Sequence, residues 1–185
     1  MIGEKDISKV KRPWIVEGYE IFCKEGPNEL KVEVLSNIVG KSKSSFYHLF
    51  GDLDLFVNSL LDYHLSQIEI VAAKEAVAKS VDPELIQILI DHKKEVLFNK
   101  QLRIHREVTT FKKCYEKSDL IIGDGFVKVW ARDLGLKDHT IIAKSVYDFA
   151  LDNFYLQVTE ETLTHKWLLD YFLQLRSMVS TLKNQ

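Results

Sequence analysis

Glycine and proline interrupt regular backbone, and this chain uses few of them: 8 Gly and 3 Pro among 185 residues. The run from Leu53 to Ala78 contains neither. Its apolar residues Leu53, Phe56, Val57, Leu60, Leu61, Leu65 and Ile68, with His64 among them, recur every three or four positions, the period of one helix face. At 1.5 Å per residue such a helix reaches roughly 40 Å, long enough to link two bodies. Strands would require alternation and frequent turn residues, and no stretch shows both. With 46% hydrophobic residues the chain has apolar surface for a core. The expected fold class is all-α.

Breakers and caps divide the remainder. A first helix is expected from Pro13, carrying Trp14, Ile15, Gly18, Tyr19 and Phe22 until Gly26-Pro27 stops it. Two short helices are predicted between Val32 and Phe50. Val32, Leu35 and Ile38 form the inner stripe of the first, and Gly40 permits a tight turn. Ser42 caps the second, whose inner side is Phe46, Leu49 and Phe50. Helix, glycine turn and helix together make the helix-turn-helix pattern. Asp52 is placed to cap the long helix. Asp82-Pro83 then predicts a helix start, followed by helices over 85–98, 101–110 and 118–134, with Gly123-Asp124-Gly125 as a kink and Gly135 as the stop. Two long helices close the chain, from Asp138 to Val158 and from Thr162 to Leu182. The expected domains are 1–52, a polar arm with Lys5, Lys9, Lys11 and Arg12 plus the short helices, and 53–185, with 53–78 as a connecting helix.

Several chemistries lack their residues. Lys and Arg number 25 against 27 Asp and Glu, so net charge gives no general attraction to nucleic acid. Cys23 and Cys114 make no disulfide framework and have no metal-ligand spacing, which points to a reducing, cytoplasmic setting. No segment approaches the roughly 20 apolar residues that span a bilayer, and no signal peptide opens the chain, so no membrane partner is expected. Asp91, His92 and Glu95 lie within one helical turn, but His105, His139 and His165 supply no second set of ligands beside them. Glu-x-x-His, Gly-x-Ser-x-Gly and phosphate-binding loops are absent. The expectation is a protein without metal, cofactor or catalytic site.

The segment from Gly26 to Leu61 carries a more specific signal. Gly40-x-Ser42-Lys43 with Phe46-Tyr47 and Phe50, preceded by the helix holding Leu35 and followed by Gly51-Asp52, resembles the N-terminal domain of the TetR family of bacterial transcription regulators. The resemblance covers a quarter to a third of the chain. It implies a three-helix DNA-reading domain followed by a helical ligand-binding and dimerisation domain, with Tyr47 reaching a phosphate. On this reading Lys43, Ser44 and Ser45 face bases and phosphates of double-stranded DNA. Lys31, Lys41, Ser42, Tyr47 and His48 complete the DNA face. The chain departs from the family at Leu53, where a lysine is common, and at Lys31, where Thr or Ser is frequent. Residues 1–65 hold 8 Lys and Arg against 10 Asp and Glu. DNA binding therefore requires the lysines to share a face from which the acids point away.

The later aromatics offer an effector site. Phe111, Phe126, Trp130 and Tyr147 are the expected lining, although for any one of them plain core is the commoner role. Residues 66–185 carry 17 cationic and 17 acidic residues, which favours an apolar or aromatic small effector over a phosphorylated one. The wide apolar coverage of the last two helices predicts a homodimer through Ile142, Val146, Phe149, Trp167, Leu168, Tyr171, Leu175 and Met178. The expected function is a ligand-responsive regulator, a repressor that binds a pseudo-palindromic operator as a dimer. The first alternative is an interaction protein of the same fold that has lost DNA binding. A metal-binding or catalytic helical bundle is a remoter one.

Overall fold

The computed structural model of the protein describes residues 8–136 and 139–183. Among them every regular element is helical. The helices are α1 (Arg12–Glu25), α2 (Val32–Val39), α3 (Lys43–Phe50), α4 (Leu53–Val77), α5 (Ile86–Asp91), α6 (Lys93–Ile104), α7 (Thr109–Asp133), α8 (Thr140–Gln157) and α9 (His165–Lys183). A 3-10 turn spans Pro27–Glu29 and a wider turn Val81–Leu85. The chain is all-α. Asp138, the expected start of α8, and Lys5 of the arm lie outside the described residues.

Local chemistry accounts for the first boundaries. Pro13 sits in the first turn of α1, and Gly26 ends that helix at φ 86°. Gly40 closes α2 in the left-handed conformation (φ 68°, ψ 33°), where a side chain would strain the backbone. A Cβ there would meet nothing within 4 Å, so conformation rather than space calls for glycine. The Ser42 hydroxyl accepts the Ser45 N–H at 3.1 Å. Asp52 Oδ1 accepts the Leu55 N–H at 2.7 Å and so caps α4.

The helices form two compact units. The first holds the described residues up to Ile68 together with Leu97–Ser118. Trp14, Phe22, Phe46, Phe56 and Phe98 are its largest buried side chains. Trp14 meets Phe46 edge-on at 5.4 Å, Phe50 meets Phe56 at 4.8 Å, and Phe22 stacks on Phe98 at 4.1 Å. A Cβ on Gly18 would fall 2.8 Å from Phe56 Cε1, so this glycine lets the Phe56 ring press against α1. One polar chain runs through the core. Tyr19 Oη lies 2.8 Å from His64 Nδ1, and His64 Nε2 lies 3.0 Å from Asn99 Oδ1. The carbonyl oxygen can only accept, so Nε2 donates to it and Nδ1 accepts from the tyrosine hydroxyl. Burial drives the imidazole pKa down to about 3, against the raising effect of the Asn99 hydrogen bond.

The second unit holds Glu69–Val96 and the described residues from Asp119 on. Compactness thus divides the chain at 68/69, 96/97 and 118/119, not at 52/53, and α4, α6 and α7 each contribute residues to both units. The single helix expected over 85–98 is two. It breaks at His92 (φ −115°, ψ 36°), whose Nε2 accepts from Lys74 Nζ at 2.7 Å and whose Nδ1 lies 3.4 Å from Glu95. Neither Gly nor Pro marks this break, so periodicity reads through it. The helix expected over 101–110 is partly the end of α6 and partly the start of α7. Helix α7 begins at Thr109 rather than Ser118 and runs unbroken through Gly123 and Gly125. A Cβ on Gly125 would lie 3.1 Å from the Ala76 nitrogen, so this glycine admits the α4 backbone and makes no kink. Gly135 (φ 64°) ends α7, with Gly135 N–H bonded to Arg132 O and Leu136 N–H to Ala131 O, the pair that satisfies the last carbonyls. After Pro83 the regular α-helix runs from Ile86, and Asp82, just before the proline, is extended (φ −107°, ψ 126°).

Candidate nucleic-acid interface and ligand sites

Helix α3 is divided sharply between core and solvent. Phe46 and Phe50 are buried, while Lys43, Ser44, Tyr47 and His48 are exposed and Ser45 is half-buried. Lys41 and Ser42, in the turn before it, are also exposed, as is Lys31 ahead of α2. Six of the eight expected DNA-face residues therefore belong to α3 or its cap. Lys11, from the described end of the arm, lies over the Phe50 ring at 5.1 Å, a contact periodicity does not reveal.

The acids do not point away from this face. Lys43 Nζ lies 3.2 Å from Glu33 Oε2, and Lys31 Nζ lies 2.8 Å from Glu29 Oε2. The first pair joins residues ten apart, brought together by the turn at Gly40. Lys41 has no ion pair among the described residues. Leu53 is half-buried at the start of α4, and the apolar side chains of Val34, Ile38 and Leu55 are exposed.

The four expected lining aromatics are divided between the two units. Phe111 belongs to the first unit, where it is buried edge-on against Phe22 at 5.6 Å. Phe126, Trp130 and Tyr147 do assemble in the second unit, with Tyr147 5.8 Å from Phe126 and 5.9 Å from Trp130, and all three are buried. None of the four lines the cleft of about 280 Å³ in the second unit, which lies among the turn after α4, the last turns of α7 and the middle of α9.

Sequence reasoning passed over Glu75. It is 1% exposed, its Oε2 has no hydrogen-bond partner among the described residues, and burial pushes its pKa up to about 8. Charge suggests a solvated face, yet continuing the stripe Leu61, His64, Ile68 and Val71 by one more step reaches it. Trp130 Nε1 is likewise buried without a partner among the described residues.

On α8, Ile141 and Leu156 are each 83% exposed and Phe149 72%, with Ile142 exposed beside them. Ile142, Phe149 and Leu156 are seven residues apart, so they share one face. Met178 is exposed on α9, and Val146 and Trp167 are half-buried. Leu168, Tyr171 and Leu175 instead turn inward. Tyr171 donates its hydroxyl to the Ala150 carbonyl at 2.7 Å, so these three serve the unit's own core and leave little surface for a partner.

At His92 the Lys74 ammonium occupies one ring nitrogen. Among the described residues no three His, Cys, Asp or Glu side chains are grouped to hold a metal ion, and no helix is long and apolar enough to cross a membrane. Both cysteines are buried and form no disulfide, and burial pushes the Cys114 thiol up to about 12. The chain matches no known protein-family model, and a search of curated proteins finds no match.

Proposed function

We propose that the chain is a dimeric, ligand-responsive transcription regulator, a cytoplasmic repressor in which α2, the Gly40 turn and α3 act as a helix-turn-helix on double-stranded DNA. The observation that carries this reading is the partition of α3: two phenylalanines hold it to the core, while Lys43, Ser44, Tyr47 and His48 face solvent beside a Ser42 cap. The first-turn amides of a helix lack intrahelical partners and attract phosphate. Two such helices in a two-fold dimer, about 34–36 Å apart, meet successive major grooves of a pseudo-palindromic site. The exposed stripe of Ile142, Phe149 and Leu156 supplies an apolar face for the second copy. An effector bound in the second unit lowers DNA affinity if it prefers the non-binding arrangement, with coupling of about 1–3 kcal/mol.

The Glu33–Lys43 pair is exposed on both sides, and such pairs contribute about 0.2–1 kcal/mol, little enough for a phosphate to displace Glu33. DNA from upstream of the chain's own gene, titrated against scrambled DNA at several salt concentrations, tests the proposal. Preference for the upstream fragment is expected. Lys43→Ala should weaken binding by about 1–3 kcal/mol if it contacts a base, and Tyr47→Phe by about 1 kcal/mol. Glu33→Gln should strengthen binding, because it releases Lys43 and removes a repelling charge. Equal affinity of all three variants and the unaltered chain would show that α3 is not the DNA face.

The neutralised lysines favour one second reading, an interaction protein that retains the fold without reading DNA. On that reading Val34 and Ile38 form part of a protein contact, and no variant binds DNA even at low salt.

A further inference from the structure

The cleft in the second unit has a composition unlike the buried aromatic trio. Val81, Val129 and Phe172, all buried, give it an apolar floor, while the exposed side chains of Lys79, Arg132 and Arg176 bring three cations to its edge. Two acids also line it, and both are engaged. Asp82 Oδ1 is 2.8 Å from His165 Nε2, and Asp133 Oδ2 is 3.7 Å from Arg176 Nε. Arg132 has no carboxylate partner among the described residues. Its exposed side chain lines the cleft beside the apolar floor.

We propose that this cleft binds a small amphiphilic monocarboxylate, its hydrocarbon body on Val81, Val129 and Phe172 and its carboxylate on the Arg132 guanidinium. The planar fork of arginine matches a carboxylate through two parallel hydrogen bonds. A neutral apolar molecule would strip water from Arg132 and Lys79 and return nothing to them. A multiply charged phosphate would gain little from the floor and would meet Asp82 and Asp133. The volume, about 280 Å³, lies at the small end of ligand sites and suits a single ring or a short branched chain. The assignment does not depend on DNA binding, and it places the ligand on different residues from the aromatic lining that periodicity singles out.

Phenylacetate titrated into the isotope-labelled full chain tests it, with side-chain Nε–H resonances of Arg132 and Arg176 as the readout. A ligand of this size is expected to saturate with a Kd of about 1–10 mM. Phenylacetamide has the same body without the charge, and acetate has the charge without the body. Both should leave the arginine resonances unshifted at the concentration where phenylacetate saturates. Arg132→Gln, at an exposed position, should weaken phenylacetate about fivefold or more, since it removes a charge-assisted bidentate contact. Leu173→Trp, also exposed and lining the cleft, should block it. An unchanged amide spectrum establishes that each variant is folded; should Leu173→Trp fail this, Arg132→Gln alone decides. Failure of phenylacetate to saturate by about 50 mM, equal shifts with phenylacetamide, or full affinity in folded Arg132→Gln would each overturn the proposal.

Discussion

Replacing Glu75 with glutamine should make the protein more stable, and by an amount that depends on pH. Glu75 is 1% exposed, and burial raises its pKa from an ordinary 4.5 to about 8. At neutral pH the native carboxyl therefore holds a proton that the unfolded chain has released. A group raised in the fold contributes fully below the unfolded pKa and loses that contribution as pH climbs toward the folded one. Each pH unit in that interval costs about 1.4 kcal/mol, so the loss is roughly 3 kcal/mol by pH 7 and on the order of 5 kcal/mol by pH 8. Glutamine has nearly the same shape and cannot ionise. Glu75→Gln should therefore differ little in pH dependence from the parent below pH 4.5 and gain about 3 kcal/mol relative to it by pH 7. Urea unfolding at four or five pH values, followed by tryptophan fluorescence, measures the difference. His64 titrates in both proteins and cancels from it. A difference between variant and parent that stays constant from acid to mildly alkaline pH would refute the argument, whatever its absolute size.

His64 should act in the opposite sense. Its folded pKa of about 3 lies below the ordinary 6.5, so the unfolded chain takes up a proton first and stability falls from pH 6.5 downward, by on the order of 5 kcal/mol in all. His64→Phe should abolish that acid slope, and at pH 7 it should cost about 1–3 kcal/mol for the buried Asn99 amide that loses its His64 hydrogen bond, both read from urea melts. Gly125→Ala should destabilise by about 1–3 kcal/mol because its Cβ meets the Ala76 backbone at 3.1 Å; a gain of about 1 kcal/mol, the ordinary helix preference for alanine, would show that the close approach is absent. Phe149→Glu, at a side chain 72% exposed, should leave the fold intact and convert the proposed dimer to monomer in sedimentation; a parent chain that sediments as monomer, or a dimer unaffected by the change, would refute the α8 contact.

The boundaries readable in the chain are those set within a few residues. Ser42 and Ser45, Asp52 and Leu55, and the left-handed glycines at 40 and 135 each act across one helical turn, so residue type and spacing carry the whole interaction. The inward side of α3 is legible for the same reason, since Phe46 and Phe50 are one turn apart. The break at His92 was not legible. It lacks a breaker residue, and the partner of its side chain, Lys74, stands eighteen positions earlier.

By itself the sequence determined that the chain is helical, where α3 and α4 are capped, where Gly26, Gly40 and Gly135 end their helices, and which residues of α3 face outward. Short-range hydrogen bonds and helical period suffice for that. Only tertiary structure decided that Glu33 and Glu29 reach the lysines of the candidate DNA face and that Phe111 belongs to the core of the first unit. It also decided that Leu168, Tyr171 and Leu175 belong to the core, and that Gly125 serves packing rather than a kink. Each of these depends on what a neighbouring element places opposite a residue. A carboxylate in a helix looks the same in sequence whether water or another backbone covers it, and the pKa of Glu75 is set by that covering.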